Sequence, residues 1–207
     1  MKANTSDGYR LQVATLAEST TATTCSALVA RRFRLGIVPS GSFEEAIALV
    51  KAGVAQAALV PGAYPQIGKF FMDAELRLIR SFAAEIPALV LAAKPKGRPP
   101  FRQIFAHPAT KPFWSLLNAP VVEAASNDVA AAAVDSKRVA CITNAAAAKA
   151  AGLKILREFR AASPMSWNLF VRAGGGRSES PTLVPATMPV SHKPTEFSAT
   201  LELQPTT

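Results

Sequence analysis

Short apolar runs rich in β-branched residues alternate along this chain with alanine-rich stretches of helical spacing, the pattern of a parallel or mixed sheet flanked by helices. Residues 10–16 read as a first strand, 23–32 as a helix, and 35–38 as a second strand ended by Pro39. The sharpest local signal comes next. Ser42 with Glu45 three positions on is a capping box, and Phe43, Ala46, Ile47 and Val50 recur behind it on one helical face, with Gly53 closing the helix. Residues 57–60 form a short buried strand that runs into the turn Pro61-Gly62, and 63–73 read as a loop. Two further strands, 76–82 and 88–93, are separated by Glu85, Ile86 and Pro87, after which 94–100 is a basic loop. Beyond it the pattern predicts strands at 104–106, 121–124, 139–143, 153–159 and 167–171. Helices are predicted at 113–117, where Pro108 suits the entering turn, and at 128–134 and 145–150.

From Ala173 the texture changes to Gly174, Gly175 and Gly176 and then to prolines 181, 185, 189, 194 and 205 among Ser and Thr, so 173–207 is expected to be a disordered tail. The whole chain has 207 residues, 49% of them hydrophobic and 18% charged, enough to bury a core without disulfide staples. Its 23 Lys and Arg against 14 Asp and Glu leave a net charge of +9, which favours an anionic partner. The basic residues are scattered from Arg10 to Lys193 among only 7% aromatics, so a nucleic acid is not the expected one. Cys25, Cys141, His107 and His192 lack metal-ligand spacing, so neither a metal nor a disulfide framework is expected. No run approaches the ~18 apolar residues of a membrane span, and residues 1–8 lack the apolar stretch of a secretory signal. A cytoplasmic protein with no membrane partner is the expectation.

Three segments carry a family resemblance: Ala58-Leu59-Val60-Pro61-Gly62-Ala63-Tyr64 through Phe70-Phe71-Met72, then Leu76-Arg77-Leu78, and Ser163-Pro164-Met165-Ser166-Trp167-Asn168-Leu169-Phe170. Together they resemble the prephenate decarboxylases of bacilysin (anticapsin) biosynthesis, an offshoot of the prephenate dehydratases, over residues 13–172. The resemblance implies an α/β fold of two lobes like a type II periplasmic-binding protein, with mixed sheets flanked by helices and the ligand in the cleft. The chain would cross between lobes near 81–85 and 159–164, giving one lobe of 1–82 with 159–172 and a second of 83–158. It also implies a cofactor-free carboxy-lyase that removes carbon dioxide from prephenate, a dicarboxylate, and leaves a non-aromatic dihydro-4-hydroxyphenylpyruvate. Homodimers are common in the superfamily, which leaves that state open. The regulatory domain that dehydratases add after the catalytic lobes is not expected from the segment after Arg172.

Residue by residue, Thr21 falls on the threonine that follows the family's Leu-Gly-Pro-x-Gly strand end, but both glycines are replaced in 15–23. The dehydratase Thr-Arg-Phe falls on Ser166-Trp167-Asn168, keeping the hydroxyl and losing the arginine. Such a site needs donors for a carboxylate, apolar walls and a positioned proton donor. Helix amino ends after Leu16, Ser126 and Thr143 supply the first, and Leu169, Phe71, Met165 and Trp167 the second. His107 has the ordinary pKa for the third. Catalytic roles are therefore expected of His107, Ser166 and Thr21, and ligand contacts of Thr23, Tyr64, Ser126, Asn127, Asn144, Met165 and Trp167. Each has a plainer reading as well. Thr21, Thr23, Asn127, Asp128 and Asn144 suit helix caps, His107 a helix entrance, Ser166 a strand start, and Tyr64 and Trp167 packing. A non-catalytic carboxylate-binding module of the same fold is the competing function, and a different lyase or isomerase of a shikimate-derived acid a weaker one.

Overall fold

A computed structural model describes residues 11–174, which form two five-stranded mixed sheets, each covered by helices. The expected tail lies outside the described residues beyond Gly174. In the first lobe β1 (Gln12–Leu16), α1 (Cys25–Arg32), β2 (Gly36–Ser40), α2 (Phe43–Lys51) and β3 (Ala57–Pro61) place three parallel strands side by side. Then come α3 (Ile67–Phe71) and the long β4 (Leu76–Ile86), and the last strand of the described chain, β10 (Ser163–Arg172), inserts antiparallel between β3 and β4. The second lobe holds β5 (Leu89–Ala93), β6 (Gln103–Ala106), a 3-10 helix (Pro108–Leu116), β7 (Val121–Glu123), α4 (Asn127–Ala132), β8 (Val139–Asn144), α5 (Ala145–Ala150) and β9 (Lys154–Arg160). Its strand order is β7-β6-β8-β5-β9, against β2-β1-β3-β10-β4 in the first.

Two apolar layers sandwich each sheet. In the first, Val13, Ala57, Leu59, Trp167 and Leu169 pack under α1 with Ala27, Val29 and Ala30, while Ala14, Ala58, Val60 and Phe170 pack under α2 with Phe43, Ala46, Ile47 and Val50. In the second, α4 and α5 cover Val139 and Cys141, and the 3-10 segment covers Ile104, Ala140 and Ile142 with Phe113 and Trp114. Small alanines on both sides let helices sit close to the strands, which is what the alanine content serves.

Several boundaries differ from the sequence reading for identifiable reasons. Pro39 does not end β2: it pairs with Thr15 and the strand continues to Ser40, because an edge strand tolerates a residue with no N–H to donate. The supposed loop 63–73 contains α3, whose Phe70 is buried against the α2 side of the core. The crossing expected at 81–85 is inside β4, which runs unbroken to Ile86, and the chain changes sheets at 87–88 instead. Phe159 likewise belongs to β9, and the return passes through 161–162. The two crossings lie next to each other, since Ile86 pairs with Ser163 on one side of them and Leu89 with Arg160 on the other. Among the described residues no helix is long and apolar enough to cross a membrane.

Candidate functional site

Strands β1, β2 and β3 run parallel and deliver their carboxyl ends to one edge of the first sheet, and β6, β7 and β8 do the same in the second. Both crossings leave from those edges, so the two edges face each other. In α/β sheets this is where ligands bind, because loops and helix amino ends collect there. On the first side, residues 17–24 connect β1 to α1. Thr24 caps α1, accepting from the Ala27 N–H at 3.2 Å and donating to the Leu16 carbonyl at 2.7 Å. Arg31 reaches back from α1 to the carbonyls of Thr20, at 3.0 Å, and Ala22, at 2.5 Å, bracing the connection. On the second side Ser126 caps α4 through the Val129 N–H, at 3.1 Å, and Asn144 caps α5 through the Ala147 N–H, at 2.8 Å.

Residues at and beside these caps then bond across the two sides. The Asp128 carboxylate accepts the Thr23 backbone N–H at 2.7 Å and the Thr23 hydroxyl at 2.6 Å. Asn144 donates its amide across to the Thr23 carbonyl at 2.8 Å, and within the second lobe Thr143 donates its hydroxyl to the Asn127 carbonyl at 2.8 Å. Glu18 stands 3.4 Å from the Ser126 hydroxyl. Thr23, Ser126, Asn127 and Asn144 are thus brought together. Asn127 Oδ1 is buried here with no partner, an acceptor that a ligand hydroxyl or amine can satisfy. Cys25 opens α1 at the same junction, where burial, opposed by the Arg160 charge, pushes its thiol up to about 11.

Other expected residues are placed differently. Thr21 shares the 17–24 connection but is exposed, its hydroxyl 3.0 Å from that of Ser19. His107 stands at the carboxyl end of β6 and caps the 3-10 helix, its Nδ1 accepting from the Ala109 N–H at 3.2 Å. Burial lowers its pKa from the usual histidine value, against an opposing pull from Glu123, so the ring is neutral at pH 7 with its proton on Nε2. Ser166 is exposed beside the β3 turn, where the Gly62 N–H donates to its carbonyl at 2.8 Å. A Cβ at position 62 would lie 2.0 Å from Ser166 Oγ, so glycine is what admits that side chain.

Two expectations need correction. Trp167 is not a cleft wall: it is completely buried in the α1-side core, where its indole N–H has no partner. Strand alternation accounts for this, since Ser166 and Asn168 face the opposite side of the sheet from Trp167 and Leu169. Leu169 is equally buried. Tyr64 is half-buried on the α2 side of the first lobe, in edge contact with Phe43, stacked on Phe70 and donating its hydroxyl to Glu44; burial first, then Glu44, pushes its pKa to about 12. Met165, partly buried, packs on the α1-side core. The residue that the sequence reading leaves out of the expected site is Asp128, which it reads most simply as a helix-start residue. Its signal was an acidic side chain in the first turn after a complete Ser126 cap, which leaves the carboxylate free for a distant partner.

No protein-family model and no curated protein matches this chain. Solved structures do match, at identities that show the fold alone. A prephenate dehydratase from Arthrobacter aurescens, in complex with L-Phe, superposes with a TM-score of 0.61 at 22% identity, over 79% of this chain and 61% of that one. The chain therefore spans less than two thirds of that protein. A structure described as a novel type of quorum-quenching acylase, GqqA, gives 0.54 at 22%, covering 86% and 66% of the two chains. The periplasmic VFT2 domain of BvgS from Bordetella pertussis gives 0.51 at 19%, covering 80% and 81%. The two-lobed, periplasmic-binding-like α/β fold is thereby shown.

Proposed function

We propose that the chain binds a small carboxylic acid between its lobes, and that prephenate, decarboxylated without aromatisation, is the substrate. The observation that carries this reading is the buried, unpartnered Asn127 Oδ1 beside the junction where Asp128 and Asn144 of one strand edge bond to Thr23 of the facing one. Likeness in fold to a prephenate dehydratase supports it, as does the sequence resemblance around Ser166. In this reading the hydroxyls of Thr21 and Ser166 hold the ligand's carboxylates, and the Asn127 amide accepts the ring hydroxyl. Loss of carbon dioxide leaves an electron pair on the ring that a proton must quench. In this reading solvent water at the His107 Nε2–H supplies that proton, and the hydroxide left behind takes up the carbon dioxide as bicarbonate.

A second reading, a binding module without turnover, has one specific observation in its favour. The position that matches the dehydratase arginine is Trp167, sealed in the core, so no cation stands there to stabilise developing charge. Incubation of the full chain with prephenate, followed by ultraviolet spectra and calorimetry, separates the readings. Carbon dioxide release with a non-aromatic enone or diene absorbance supports the decarboxylase, and phenylpyruvate indicates dehydratase chemistry. Saturable heat with no spectral change indicates the binding module, and no heat refutes both.

A further inference from the structure

At the edge of the second sheet opposite the junction, the fold gathers charges that are spread out in sequence. Lys94, Lys96 and Arg98 lie on the connection from β5 to β6, Arg102 just before β6, Lys137 and Arg138 just before β8, and Lys154 at the start of β9. These strand ends are neighbours: Ala93 pairs with both Ala140 and Lys154, and Gln103 pairs with Val139. The segments also touch directly. The Arg102 N–H donates to the Arg138 carbonyl at 2.7 Å, and Gly97 packs so closely that a Cβ there would lie 2.9 Å from the Lys94 carbonyl and 3.2 Å from that of Lys137. The loop carrying Lys96 and Arg98 is therefore seated on the one carrying Lys137 and Arg138, and Pro95, Pro99 and Pro100 restrict it further.

Lys94 is half-buried and the other six side chains are exposed. None of the seven side chains joins an ion pair; among the described residues those pairs involve only Lys51 and Lys111. Asp135 is the one acidic residue on these segments, so this rim holds much of the net +9. The expectation of no nucleic-acid partner rested on basic residues being scattered, and in space these are not. Ile155 is the only large exposed apolar side chain on the same segments, too little for the aromatic or aliphatic anchors of a protein interface or a membrane-inserting surface. A partner that needs only fixed positive charge is a polyphosphate backbone. Four adjacent strand ends make a rim about 14 Å wide at ~4.8 Å per strand, along which duplex DNA presents about eight phosphates.

We propose that this rim docks the phosphodiester backbone of a nucleic acid, by charge and without sequence preference. The test is fluorescence anisotropy of a labelled 24-base-pair duplex of arbitrary sequence with the full chain. Engaging four to seven phosphates predicts an affinity that falls about 10²- to 10⁴-fold between 50 and 200 mM salt. The combined variant Lys96→Glu, Arg98→Glu, Lys137→Glu should weaken binding at least ~100-fold, and glutamine at the same three positions about 10-fold. Lys69→Glu, Arg77→Glu, Arg172→Glu changes the net charge equally on the first lobe and should leave affinity within a few fold. Far-ultraviolet circular dichroism checks that each variant is folded. Equal losses in the two glutamate variants, a salt-independent affinity, or binding to vesicles containing phosphatidylserine with none to the duplex would each overturn the proposal.

Discussion

Replacing Asp128 by alanine removes two hydrogen bonds that tie the lobes together, both made by one carboxylate to Thr23. Hydrogen bonds to a charged group contribute about 1.5–3 kcal/mol each when well shielded. Asp128 and Thr23 are only partly buried, so about 1 kcal/mol each is the appropriate figure after solvent screening, or about 2 kcal/mol together. That corresponds to a ~30-fold shift of the equilibrium between closed and open lobes. Hydrogen exchange reads it directly, because the Thr23 amide is one of the two donors. Its protection should drop about 30-fold in Asp128→Ala and by a smaller factor in Asp128→Asn, which keeps an acceptor and loses the charge. Cys25, half-buried at the same junction, supplies a second readout: its reaction with a thiol reagent should accelerate in the same order, while Cys141, wholly buried in the second lobe, stays inert. If Thr23 protection is unchanged, or if amides of β1 and β3 lose protection by the same factor, the carboxylate does not govern closure and the reasoning fails.

The His107 titration midpoint, followed by NMR, should lie below 6.5, since burial disfavours the imidazolium. The unfolded chain then binds the proton more readily, so this histidine's contribution to stability is complete above pH 6.5 and is lost as pH falls toward the folded midpoint; a midpoint above 6.5 contradicts the burial argument. Gly62→Ala should lower thermal stability because its Cβ meets Ser166 Oγ, and Ser166→Ala in the same chain should restore part of the loss; strictly additive effects would show that the two positions do not touch. Ser42→Ala should cost about 1 kcal/mol, a fall of ~2–4 °C in melting temperature, by freeing the Glu45 N–H. A melting temperature unchanged by that substitution would mean that α2 is held by its apolar face alone.

Legibility in the sequence followed how local each signal was. Ser42 and Glu45 announce α2 because both capping bonds close within four residues: Ser42 accepts from Glu45, and Glu45 accepts from the Gly41 N–H. Ala145–Ala150 were read to the residue, since Asn144 supplies the cap and five alanines the propensity. Residues 83–86 were misread because Pro87 suggested an earlier break, whereas pairing with the remote 163–166 keeps the strand going. At the site, Ser126 and Asn144 are legible as helix caps, whereas α1 is capped by Thr24 rather than by Thr21 or Thr23, and α4 by Ser126 rather than by Asn127. Trp167 was not legible, because an unusual local run gives no indication of which face of a strand points inward. Asp128 could be recognised only with its partner, which lies 105 residues away.

The paired crossings at 87–88 and 161–162 carry a mechanical consequence. Two short struts, side by side and bonded in register at each end, resist sliding and torsion but permit bending about the line that joins them. Such a strap leaves the halves one soft coordinate, a swing. A single intramolecular ruler, such as a pair of spin labels placed far from the strap, would then report the whole conformational state as one number.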